Sequence, residues 1–256
     1  MTAKAKSKSK TPPETYYAGA YWGARKESPE ECARRTAEFL TLLASSDPFL
    51  SQWYLPTRSS RESLEYPLMP PDVPTLTEQF RRGVNRENGS PVIERLGYGF
   101  WFGNGGRDYD RASLRIYSGG YSEAGSNSCV LALPTLGRSP NAERVITASV
   151  LTEVVRSMAL AWEPEWAVAM SHAHRDLEDA AGKGNVWLGW VTYLSRHRGT
   201  VPPLPAPVRI ELVEDKGTLI ILTPERFTAA NPEHIALARR VRELLARAGL
   251  MQSASS

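Results

Sequence analysis

The sequence predicts an α+β protein: a single domain with a largely antiparallel sheet and three main helices. Three observations lead there. Short aromatic and β-branched runs follow one another in groups instead of alternating with helices. Three longer stretches carry apolar residues at helical spacing behind a capping residue. No repeat of fixed period recurs, and no composition shift divides the body of the 256 residues. The expected organisation is a disordered basic leader over 1–13 and one α+β domain over 14–250.

The elements follow in order. Lys4, Lys6, Lys8 and Lys10 make the leader basic, and Pro12 and Pro13 close it. The aromatic run 15–22 reads as a strand. Ser28, Pro29 and Glu31 give a cap, a first-turn proline and a capping-box acid. Behind them Cys32, Thr36, Phe39, Leu40 and Leu43 mark the buried stripe of a helix to about residue 44. Residues 55–74 are proline-rich and irregular. Thr75 and Glu78 repeat the capping spacing and open a short helix toward Arg82. Strands are expected over 96–102, 112–117 and 128–133, with Gly103, Gly105 and Gly106 turning the chain between the first two.

The longest helical pattern covers 141–161, with Val145, Ala148, Leu151, Val155 and Met158 inward. A short strand over 166–170 follows, then a polar stretch, 175–183, with room for a helical turn. The run 186–194 is almost continuously apolar and reads as a buried strand. After four prolines, 208–213 and 218–222 flank Glu214-Asp215-Lys216-Gly217 as a hairpin. Asn231 and Pro232 start the last helix, and Gly249 stops it.

Charge and cysteine content bound the function. The formal charge is +3, but without the four leader lysines the 31 basic residues fall to 27, against 28 acidic ones. The body is therefore near neutral. A Lys-rich leader attracts nucleic acid or anionic lipid only nonspecifically. Two cysteines make no disulfide scaffold, no apolar run reaches membrane-spanning length, and the leader has no apolar signal core. A soluble, cytoplasmic protein is expected.

Each set of residues suited to catalysis is incomplete. His172, His174 and Asp176, if extended, would put two imidazoles on one strand face as a metal pair requires, but further ligands are not named. Asp108 and Asp110 stand beside a glycine-rich turn that lacks the residues of a phosphate loop. Glu214 and Lys216 fall in a hairpin turn, far from Asp72 as an upstream acid. Cys129 and Cys32 read as core, and Ser171 and Ser195 lack a nucleophile elbow. Seven tryptophans remain, of which Trp187 and Trp190 point to opposite faces of their run. Trp suits binding hot spots, but most of these read as core. The incomplete catalytic sets are what favours a binding protein. The competing readings are a metal-dependent hydrolase using His172, His174 and Asp176, and a nucleic-acid binder using the leader.

The segment Tyr17-Ala18-Gly19-Ala20-Tyr21-Trp22-Gly23-Ala24-Arg25, with Glu27-Ser28-Pro29-Glu30-Glu31-Cys32-Ala33, resembles the bacterial immunity protein 52 family. So do Gly189-Trp190-Val191-Thr192-Tyr193-Leu194-Ser195 and Ile221-Leu222-Thr223-Pro224-Glu225. The resemblance implies no catalytic residues and no cofactor. Its members are encoded beside polymorphic toxins, often restriction-endonuclease-like nucleases, delivered for example by type VI secretion. The expected partner is a cognate toxin, with no specific nucleic acid and no membrane. Carboxylates would match a basic nuclease cleft. Asp108, Asp110, Glu163 and Glu165 are thus candidate contacts, together with Trp22 and Trp187.

Overall fold

The computed structural model describes residues 13–57, 60–87, 90–122, 126–181 and 186–252. The expected leader, 1–13, therefore lies almost wholly outside the described residues. The strands are β1 (Tyr16–Trp22), β2 (Arg86–Glu87), β3 (Ser90–Val92), β4 (Tyr98–Gly103) and β5 (Ser113–Ser118). They continue with β6 (Asn127–Ala132), β7 (Trp166–Ser171), β8 (Val191–Ser195), β9 (Arg209–Val213) and β10 (Gly217–Ile221). Eight of them form one sheet in the order β4-β5-β6-β1-β7-β8-β10-β9, while β2 and β3 make a small ribbon. Every adjacent pair is antiparallel, as the grouped strands predict.

The first strand lies in the middle, and its alternation defines two faces. Tyr16, Ala18, Ala20 and Trp22 enter the main core, under helices α1 (Pro29–Ala44) and α5 (Ala148–Trp162). Tyr17 and Tyr21 point to the opposite side with Val168, Met170 and Val130. α1 forms as its sequence dictates. Ser28 accepts the Glu31 N–H at 3.2 Å, and Glu31 accepts the Ser28 N–H at 2.7 Å.

The other helices, in chain order, are α2 (Ser60–Ser63), α3 (Val73–Arg82), α4 (Pro140–Val145), α6 (His172–Ala181) and α7 (Pro232–Arg247). Four expectations are corrected. The cap of α3 is Asp72, which accepts the Thr75 N–H at 2.9 Å, not Thr75 itself. The pattern over 141–161 is two helices, because Arg226 donates to Ile146 O at 3.0 Å and to Glu143 O at 3.1 Å. That satisfies carbonyls a continuous helix would use, and Thr147 caps the new helix by accepting the Val150 N–H. The histidine segment is helical, not extended. Only 191–195 of the expected strand 186–194 pairs in the sheet. Residues 186–190 instead cross over β7, and Gly189 permits it: a Cβ there would lie 2.2 Å from Val168 Cγ2.

The proline-rich stretch is tied down at Leu55, which gives its N–H to Tyr66 O at 2.9 Å, and at buried Leu68, which gives its N–H to Trp53 O at 2.7 Å. Trp53 is fully buried and donates to Leu50 O at 2.9 Å. Its neighbour Tyr54 gives its N–H to Gly103 O, and Gly99 gives its N–H to Gly83 O, both at 2.8 Å. These bonds cover both ends of edge strand β4, which would otherwise invite pairing with another chain.

Candidate protein-binding face

Helices α1 and α5 lie over one face of the sheet, and α6 reaches the other only beside β1 and β7. Over β4, β5 and β6 that other face is largely bare among the described residues. Register aligns its side chains in rows. One row is Gly99, Tyr117, Ser128, Tyr21 and Trp166; the next is Trp101, Arg115, Val130, Gly19 and Val168. Two of these positions are glycines beneath tyrosine rings. A Cβ at Gly99 would lie 2.9 Å from Tyr117 Cε1, and one at Gly19 would lie 2.5 Å from Tyr21 Oη. The missing side chains let the rings lie down on the sheet.

The open end carries Trp101, 55% exposed, and Tyr117, 42% exposed, with the exposed Arg115 directly across from Trp101. Two hollows flank them. Trp101, Arg111 and Tyr54 line one of about 170 Å³. Tyr117, Arg95 and Asn127 line another of about 220 Å³. The inner end is an aromatic cluster. Tyr21 and Trp166 stack at 4.3 Å, and Trp187 stands edge-on to them at 5.8 and 5.5 Å. Its indole N–H donates to Asp179 at 2.7 Å. Exposed Trp, Tyr and Arg on a flat surface are the composition of a protein-binding hot spot.

Of the residues singled out from sequence, Trp187 lies on this face, half-buried. Trp22 does not: it is 4% exposed and stacks on Trp162 at 5.3 Å in the core. The four carboxylates form two separate pairs. Asp108 and Asp110 sit in a 3-10 turn beyond β4, where Asp110 accepts from Ser139 and Asn141. Asp108 is exposed, in left-handed backbone at φ 47°. Glu163 and Glu165 precede β7 at the other end of the strands, beside a cleft of about 390 Å³ with Arg25, Arg196 and Lys216. There Lys216 donates to Glu163 at 2.6 Å and the Gly23 N–H to Glu165 at 3.1 Å. The Lys216 hydrogen bond holds the Glu163 carboxyl below its ordinary range, against a smaller opposing effect of burial. Asp110, Glu163 and Glu165 are engaged within the chain.

Trp101, Arg115 and Tyr117 were missed by sequence reading. The available signal was alternation: Trp101 stands between buried Phe100 and Phe102, Arg115 between Leu114 and Ile116, and Tyr117 between Ile116 and Ser118.

The histidine set does not assemble. Residues two apart on a helix point about 200° apart. His172 bonds Thr15 and packs on Tyr17 at 4.9 Å, whereas His174 stacks on Phe227 at 4.6 Å. Among the described residues, no group of three or more His, Cys, Asp or Glu could hold a metal ion. Cys32 and Cys129 are buried, and burial pushes the Cys32 thiol up to about 12 and the Cys129 thiol up as well. Neither favours a thiolate nucleophile.

Burial also depresses the His174 imidazole to about 4, with Arg242 adding to the effect and Glu14 opposing it. The folded chain thus keeps this ring neutral, while the unfolded chain protonates it below about pH 6.5. Stability from this group is present above about pH 6.5 and is lost as pH falls toward 4. His174→Phe preserves a ring against Phe227 and removes the titration. Urea unfolding should show wild type losing more stability than the variant between about pH 7 and 4.5. Parallel profiles would place the acid sensitivity elsewhere.

Among the described residues no helix is long and apolar enough to cross a membrane. No curated protein matches the chain. A solved structure, the Pseudomonas aeruginosa T6SS protein PA0821, is similar in fold with a TM-score of 0.52. It shares 14% identity, over 90% of this chain and 76% of that one. The family described as Immunity protein 52 matches residues 14–254, the whole sheet and all of its helices. With nearly its full length accounted for, the chain belongs to the immunity protein 52 family.

Proposed function

We propose that this chain neutralises a cognate antibacterial toxin by binding it, and that the toxin is a restriction-endonuclease-like nuclease delivered by type VI secretion. Family membership over residues 14–254 carries the immunity reading. The likeness to a T6SS protein supports the delivery context through fold alone. The bare aromatic face suits binding, while the separated histidines and buried thiols do not suit catalysis. A nuclease acts on nucleic acid in the cytoplasm, so neutralisation takes place there. Of the four acidic candidates, Asp108 alone keeps an exposed carboxylate with no partner among the described residues.

The test uses the product of the gene beside this one. Stable binding of the purified proteins, with loss of that product's nuclease activity at equal concentration, is the expected result. Two folded proteins that do not bind would refute the pairing. Neutralisation of a different toxic activity would refute the nuclease class alone.

A further inference from the structure

We infer that the bare face over β4, β5 and β6 docks an acidic surface of the toxin, through Trp101, Tyr117, Arg115, Arg95 and Arg111. The inference rests on the immunity reading and specifies where and to what chemistry the chain binds. It also departs from the expectation that carboxylates of this chain fill a basic nuclease cleft.

Two distributions coincide on this face. The aromatic side chains exposed among the described residues are Tyr66, Trp101, Tyr109, Tyr117 and Tyr121, all from the half of the molecule that holds β4 and β5. Three arginines of this face, Arg95, Arg111 and Arg115, enter no ion pair among the described residues. Many arginines elsewhere are held, as Arg35 by Glu27, Arg156 by Glu211, Arg226 by Glu143 and Arg242 by Glu178. Arg34 of α1 and Arg239, Arg240 and Arg247 of α7 also lack ion-pair partners among the described residues, but neither helix carries an exposed aromatic. At the rim, Lys26 lies 5.1 Å over Tyr121 and Arg138 lies 4.2 Å over Tyr109.

Unpaired arginines beside flat aromatic rings present positive charge on a desolvatable surface, which complements carboxylates on a partner. A nucleic acid would also meet cations and rings. However, Glu94 adjoins Arg95 in sequence and Asp108 stands three residues before Arg111, and a phosphate backbone laid along the sheet would meet their charge. A protein surface with carboxylates at its centre avoids that conflict. The toxin is therefore gripped on an acidic surface, apart from any basic nucleic-acid groove.

The experiment measures affinity of the neighbouring gene's product for wild type, Trp101→Ala, Arg115→Glu and the control Arg240→Glu. The substituted side chains are exposed, and circular dichroism checks that each variant keeps its fold. Trp101→Ala should weaken binding about 30-fold or more, and Arg115→Glu about 10-fold or more, with a shallower salt dependence. The control should stay within about 2-fold. Wild-type neutralisation with both face variants binding like wild type would overturn the inference and leave the immunity reading intact. Loss by the variants of only oligonucleotide binding, or of only self-association in sedimentation, would likewise overturn it. Absence of binding by wild type would sink both readings.

Discussion

Trp22→Ala should lower folding stability by about 3–5 kcal/mol and leave toxin affinity nearly unchanged in the molecules that remain folded. The indole is 4% exposed and fills the space between β1 and α5. It stacks on Trp162 with ring planes 20° apart, and the Arg25 guanidinium lies 5.0 Å from its centre. Truncation removes the stack and the cation contact together and leaves a cavity where helix meets sheet. Trp22→Phe should cost much less, for a specific reason. The Trp22 Nε1 is buried without a hydrogen-bond partner among the described residues, so a phenyl ring loses area but no satisfied donor. Urea unfolding checks both variants, and calorimetric titration with the toxin checks affinity. A Trp22→Ala protein of wild-type stability and broken affinity would return Trp22 to the interface, where its aromatic sequence setting first suggested it.

That case shows what a sequence can carry. The strand 15–22 was legible, since its alternation of small and aromatic residues admits little else. Which face meets the helices was not, because Trp22 and Tyr21 are equally aromatic and differ only in register. The same limit hid the candidate site. Alternation around Trp101 and Tyr117 marks one side of each strand as less buried, but whether another segment covers that side depends on distant chain. Residues 186–190 do cover it at Trp166 and leave Trp101 bare. Side-chain partners far along the chain account for other misses. Arg226 splits the helix pattern from 80 residues away, and Lys216 engages Glu163 across 53. Local capping was read correctly where partners are neighbours, as in Ser28 and Glu31.

Glu178→Ala should cost about 3–5 kcal/mol, because it strands a buried cation. The Glu178 and Arg242 side chains are 6% and 15% exposed, and they pair between α6 and α7. Glu178 Oε2 also accepts the Leu188 N–H at 3.0 Å, and Arg242 donates to Val186 O at 3.3 Å. One carboxylate thus joins two helices to the segment that lays Trp187 over Tyr21 and Trp166. Burial raises its pKa, against the Leu188 N–H and Arg242, which lower it. A raised folded value means the contribution from ionisation declines as pH rises through the window just above the ordinary carboxylate range. The pair is therefore costly to charge yet worse to break. Glu178→Gln retains an acceptor for Leu188 and should fall between wild type and alanine. Replacing both partners, as Glu178→Leu with Arg242→Met, should recover much of the loss, since no charge is left buried. Urea unfolding of wild type, Glu178→Leu, Arg242→Met and the double variant gives the coupling directly. Near-ultraviolet circular dichroism of the folded alanine variant then reports whether Trp187 keeps its packing. Lost stability with an unchanged aromatic signal would mean that the indole's own contacts, and its bond to Asp179, hold the inner end of the face without the ion pair.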